Sequence, residues 1–214
     1  MNIKLLLILL IAGTLGVFGA SGTTLAQQPS EHKQIQLLEQ QSPPPDSTQL
    51  GISQEAMQKY AWFVVKYTEL EEEHLISDKL DDEKFHEEVN QIIRDSSLDS
   101  LQIQKIDTFA KNNPVVREEL LEYTSDYHEI REWSAADKEK FADYIAQRIE
   151  LVREYKQQYA EESAYYQQDD FDQLQEDLNT LIEESPLDRE TIIRMEADFN
   201  LDREFQETIR EMVH

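Results

Sequence analysis

Beyond residue 52, apolar residues recur at helical spacing through almost the whole chain. Met57, Tyr60, Ala61, Val64, Tyr67 and Thr68 follow a 3.6-residue period, the mark of an α-helix with one buried stripe. Ser53 stands before them as an N-cap, with Ile52 and Met57 placed to close a hydrophobic staple. The spacing predicts a second helix opened by Asp81 or Asp82, with Phe85, Val89, Ile92 and Ile93 on one face. Asp99 caps a third helix carrying Ile103, Ile106 and Ala110. Asn113-Pro114 opens a fourth through Val116, Leu120, Tyr123 and Tyr127, with proline at the first helical position, where no backbone N–H is required.

The pattern then returns. Ser134 precedes Phe141, Ala142, Ile145, Ile149 and Val152 at an offset of 81 from Ser53, and Tyr60-Ala61 falls on Phe141-Ala142. Further on the offset becomes 89 and holds. Phe85 falls on Leu174, Val89 on Leu178, Ile92-Ile93 on Leu181-Ile182, Leu98-Asp99 on Leu187-Asp188, Ile103 on Ile192, Ile106 on Met195, Asn113 on Asp202, Val116 on Phe205 and Leu120 on Ile209. Apolar positions and caps kept in one register read as an internal duplication. The expected architecture is all-α, with two tandem repeats of three or four helices at residues 52–132 and 133–214. The second copy holds eight extra residues in its first connection, so its first helix is expected to run about two turns further. Tyr155, Tyr159, Tyr165 and Tyr166 lie in that stretch. They either pack a local hairpin or form an aromatic contact surface for a partner, since tyrosine offers a large contact area with a polar tip. Trp133 precedes the second copy's cap and is expected to pack where the copies meet.

The first residues have a different character. Lys4 followed by an apolar run from Leu5 to Ala20, and then Thr24-Leu25-Ala26, reads as a signal peptide over residues 1–26. Residues 27–51 are rich in Gln and contain Pro43-Pro44-Pro45. Such a segment is too polar to offset its ordering entropy and is expected to be a disordered tether. The chain holds no cysteine, which excludes a disulfide framework, thiolate metal ligands and a cysteine nucleophile. The expected location is the periplasm or the exterior, with no stable membrane span after signal cleavage.

Charge narrows the choice of partner. The chain carries 20 Lys and Arg against 45 Asp and Glu, a formal charge of −25. Residues 53–132 hold 9 basic and 20 acidic side chains, and residues 133–214 hold 9 and 22, so both predicted repeats are acidic. A field of this sign repels nucleic acid phosphates and attracts cations and basic proteins.

The repeated unit resembles a bacterial exported family catalogued as domain of unknown function 4168. The resemblance rests on Ser53…Tyr60-Ala61 and Ser134…Phe141-Ala142, on Ile92-Ile93-Arg94-Asp95-Ser96-Ser97-Leu98, on Ile103…Ile106, and on Asn113-Pro114-Val115-Val116. Just before the Leu matching Leu98 that family carries Gly, where this chain has Ser97 and Pro186. The resemblance implies a helical fold and export. That family has no established activity, so the resemblance supplies no catalytic residue.

Candidate chemistry is sparse. Glu71-x-x-His74 and Glu83-x-x-His86 have the i, i+3 spacing of di-iron bundles, which makes Glu71, His74, Glu83 and His86 the candidate divalent-cation ligands. The aspartate strings near residues 78–82 and 169–172 lack the central glycine of a calcium loop. No G-x-S-x-G elbow, H-E-x-x-H pair or Walker-type glycine loop occurs. No enzyme activity and no cofactor are expected. The leading expectation is a non-catalytic interaction module of the periplasm or cell envelope with a basic protein partner. An acidic cation-binding protein is the alternative, and an enzyme of unknown class comes last.

Overall fold

The computed structural model describes residues 46–77, 82–161 and 168–213. Among these the chain is all-α, with eight helices and no strand: α1 (Gln54–Ser77), α2 (Asp82–Ser96), α3 (Ser100–Asn112), α4 (Pro114–Ser125), α5 (Ala135–Glu161), α6 (Gln168–Glu184), α7 (Arg189–Leu201) and α8 (Arg203–Met212). A strap of residues 126–134 joins α4 to α5. The expected signal peptide, the linker up to residue 45, Tyr165 and Tyr166 lie outside the described residues. No described helix is long and apolar enough to cross a membrane.

The helix starts follow from local backbone chemistry. Ser53 Oγ accepts from the Ala56 N–H, and Ser134 Oγ from the Asp137 N–H, each satisfying a donor that has no partner within the helix. Ile52 and Met57 are both buried, as a staple requires. Asp99 accepts from Gln102, whose side chain in turn accepts from the Asp99 N–H, completing a capping box on α3. Asp188 caps α7 at the Thr191 N–H. Asn113 and Asp202 each terminate one helix and cap the next.

The α2–α3 turn carries a local cost. Ser97 has φ 57°, in the left-handed region that glycine enters freely. Ser97→Gly should therefore raise stability by about 0.5–1 kcal/mol, the relief of strain exceeding the added freedom of the unfolded chain. Denaturant unfolding midpoints at unchanged slope would check this, and an unchanged or lowered midpoint would refute it.

One boundary differs from expectation. The Gln/Pro-rich linker does not run unstructured to Gly51, because residues 47–51 form a turn on the first half. Ser47 is buried and its N–H donates to Glu119, Leu50 packs on the core, and Lys105 donates to the Gly51 carbonyl. Apolar Leu50 and Ile52 pull this stretch down onto α3 and α4. The helix α5 spans 27 residues against 24 in α1, and residues 162–167, on which the rest of the expected extension falls, lie outside the described residues.

Two apolar cores form. One gathers Met57, Tyr60, Val64, Phe85, Val89, Ile106 and Val116 from α1–α4, and it also takes in Leu201 from α7. The other gathers Phe141, Ile145, Ile149, Ile192, Met195, Phe199, Phe205 and Ile209 from α5, α7 and α8. α7 packs against α1 and α4 as well as α6 and α8. It buries Ile193, Ala197 and Leu201 in addition to Ile192, Met195 and Phe199, so it is covered nearly all round. Thr124 Oγ donates to the Leu201 carbonyl at 2.7 Å and ties the end of α4 to the end of α7.

Candidate functional site

The densest arrangement of buried polar groups lies where α1, α5, α7 and the 126–134 strap converge. Its centre is Asp198, which is fully buried on α7. Asp198 Oδ1 accepts from Arg131 Nη1 and meets His128 Nε2, each at 2.8 Å. Oδ2 accepts from Trp133 Nε1 at 2.7 Å and from the Arg131 N–H at 3.3 Å. One carboxylate thus gathers three strap side chains. A buried charge of this kind is tolerated only when paired and hydrogen-bonded. Trp133 packs against the second core while its indole N–H reaches Asp198.

Arg131 carries the network across to the first half. Its Nη2 donates to both oxygens of Glu72 on α1, at 2.7 and 2.8 Å, and Arg194 of α7 stands 4.0 Å from the same carboxylate. Beside this, Glu196 of α7 accepts from Tyr144 Oη at 2.8 Å and from the buried Arg148 Nη1 at 2.7 Å, both on α5. Burial, reinforced by Glu196, raises the Tyr144 hydroxyl pKa well above its usual value.

Glu71, the neighbour of Glu72, has a perturbed carboxyl group. Burial first, and the like charge of Glu196 second, push its pKa up to about 8, with the Tyr67 hydroxyl partly offsetting them. Burial together with Glu71 raises Tyr67 in turn, and its hydroxyl is buried without a regular hydrogen bond.

The metal quartet expected from sequence is not assembled. Glu71 is half-buried on α1, where Glu196 of α7 acts on its carboxyl. His74 lies tilted against Phe85 at 4.6 Å between ring centroids, and its Nδ1 is buried without a hydrogen-bond partner. Glu83 and His86 are exposed on α2. Among the described residues no three His, Asp or Glu side chains are placed to hold a metal ion. The physical reason is the α1–α2 packing, which uses Phe85 as an apolar contact between the two motifs.

Of the tyrosines considered for a partner surface, Tyr155 donates to Asp177 across the α5–α6 hairpin, so its hydroxyl serves a local contact. Tyr159 lies in α5.

The residues of the junction were not legible as a site in the sequence. Asp198 stands in an apolar run, Met195-Glu196-Ala197-Asp198-Phe199, and Arg131 in a polar one. One usable signal was present: apolar residues on two faces of α7, Ile192-Met195-Phe199 and Ile193-Ala197-Leu201, mark a helix covered from two sides. No protein-family model, curated protein or solved structure matches the chain.

Proposed function

We propose that this chain is an exported, non-catalytic interaction protein that binds a basic protein partner through its acidic outer surface. The observation that carries this reading is the unequal burial of its two charge types. Among the described residues the exposed Lys and Arg side chains are Lys84, Arg94, Lys105, Arg153 and Arg189 alone. The other basic residues with described side chains are half-buried or buried. Several are engaged internally: Arg131 on Glu72 and Asp198, Arg148 on Glu196, and Arg117 on the carbonyls closing α3. Exposed Asp or Glu, by contrast, occur on every described helix except α3. The outer surface is thus even more acidic than the composition, and such a surface steers and orients a cationic partner.

The reading includes a duplication. Pairs of residues 89 apart act alike: Ser96 with Leu98 and Ser185 with Leu187, Asp99 and Asp188 as caps, Asn113 and Asp202 as shared cap residues. Ser53 and Ser134 are a further pair, 81 apart. These equivalences support two copies of one four-helix unit. The placement of Ser97 at positive φ, where the resembling exported family carries Gly, supports kinship with that family and a periplasmic or extracellular location.

The test is binding of the full chain to a Lys-rich helical peptide and to its Glu-rich counterpart, measured at low salt and at about 0.3 M salt. Affinity for the basic peptide alone is expected, falling about tenfold or more as screening increases. Equal affinity for both peptides, or no salt dependence, would overturn the reading.

A further inference from the structure

Among the described residues the exposed large hydrophobic side chains are Leu101, Tyr127, Ile130 and Met212. Leu101 and Met212 stand alone, on α3 and at the end of α8. Tyr127 and Ile130, each 42% exposed, both belong to the 126–134 strap. The acids of the strap, Asp126, Glu129 and Glu132, are exposed as well, whereas its Arg131 is engaged by Asp198 and Glu72. The outer face of the strap thus combines two apolar side chains with three carboxylates and no exposed Lys or Arg.

The strap is also open along its backbone. From Ile130 to Ser134 exposed and half-buried residues alternate, the two-residue period of an extended segment held down on one face. In such a segment successive N–H groups point to opposite edges. The Arg131 N–H turns in to Asp198, so the N–H and C=O groups of Ile130 and Glu132 lie on the other edge. No hydrogen bond among the described residues uses them. Asp198 holds the strap from beneath through His128, Arg131 and Trp133, so an incoming chain meets an edge that is already ordered.

We propose that the strap is the docking edge for the basic partner, which lays an extended segment bearing Lys or Arg alongside Ile130 and Glu132. This placement rests on the acidic surface binding basic proteins, and adds where the partner sits and in what conformation. Main-chain pairing supplies affinity, Tyr127 and Ile130 cover apolar side chains of the segment, and Asp126, Glu129 and Glu132 select cationic ones. The same acids disfavour a second copy of this chain. Two straps paired together would set carboxylates against carboxylates, the means by which exposed edges avoid self-association.

The probes are a short end-capped peptide of alternating Lys and Val, and the same peptide with every backbone nitrogen methylated. Methylation removes the donors and keeps the charge. Binding to the full chain is read from the anisotropy of labelled peptide. The first peptide should bind, and methylation should weaken it about tenfold or more. The double variant Tyr127→Ser/Ile130→Ser should lose a similar factor while melting as the wild type does, because both side chains are already exposed. Leu101→Ser on α3 should leave binding unchanged. Equal binding of the two peptides, equal binding by wild type and double variant, or binding of the Lys-rich helical peptide alone would overturn the strap as the site and leave the acidic-surface reading standing. Failure of every basic peptide to bind would remove that reading and this one with it. A dimer in sedimentation that Ile130→Ser disperses would give the edge to a second copy and equally overturn the proposal.

Discussion

Asp198→Ala is expected to destabilise the protein by about 3–5 kcal/mol, the cost of breaking a buried ion pair by removing one partner. Asp198 is completely buried and accepts from two strap side chains and a backbone N–H, with His128 alongside. Without it the Trp133 indole N–H and the Arg131 backbone N–H lose their acceptor inside the protein, where an unsatisfied donor costs about 1–3 kcal/mol. Arg131 would keep Glu72 and lose its anchor on α7, so the strap would detach from the second half. Urea unfolding followed by both tryptophan fluorescence and circular dichroism would measure the loss. In a Trp62→Phe background the two probes should also part company, because Trp133 then reports the strap alone whereas dichroism reports all helices. A loss below about 1 kcal/mol would mean that the network behaves as an exposed ion pair, which its burial argues against.

Phe141→Ala carries the next largest expected effect, about 3–5 kcal/mol. Phe141 is fully buried on α5, and its ring lies 5.8 Å from Tyr144, 6.1 Å from Phe199 and 6.2 Å from Phe205, centroid to centroid. It therefore joins three helices of the second half, and truncation would leave a cavity walled by rings that cannot collapse without moving α7 and α8. Leu101→Ala is the matched control. Leu101 is 76% exposed, so its truncation should change stability by no more than about 0.5 kcal/mol. Denaturant midpoints for the two variants, measured at equal slope, test the comparison directly. Equal losses would mean that the second core is not packed around Phe141.

The two cores and the junction have separable roles. The cores account for the existence of each four-helix half. The junction decides how the halves meet. This division explains why the α1 stripe read from sequence was incomplete. Met57, Tyr60, Ala61, Val64 and Tyr67 are buried as the period requires, but so are Phe63, Val65, Leu70 and Glu72. Those additional positions are covered because α1 meets α7 as well as its own three partners. A single amphipathic stripe describes a helix packed on one side, and α1 is packed on two.

The misplaced cation site has the same origin. Glu71 and His74 share a helix face by spacing, and so do Glu83 and His86, but spacing along one helix does not say what the neighbouring helix brings. Phe85 came between the motifs, and α7 brought Glu196 to Glu71. The carboxyl picked out as a ligand is instead a half-buried acid under the like charge of Glu196.

The sequence by itself determined the helices and their ends. Ser53, Asp99, Asn113, Ser134, Asp188 and Asp202 each act on a backbone N–H two or three residues away, so the instruction and its effect sit in one short window. The apolar periods are equally local and fixed the all-α class. Only the tertiary structure decided the junction. Arg131 meets Glu72 across 59 residues and Asp198 across 67, and Tyr144 meets Glu196 across 52. No local pattern links such pairs, because a charged side chain reads as a solvated surface residue until a second helix removes the water around it. Desolvation belongs to the packed assembly of helices, and it turned Glu72, Arg148 and Asp198, residue types usually found at the surface, into buried groups of this protein.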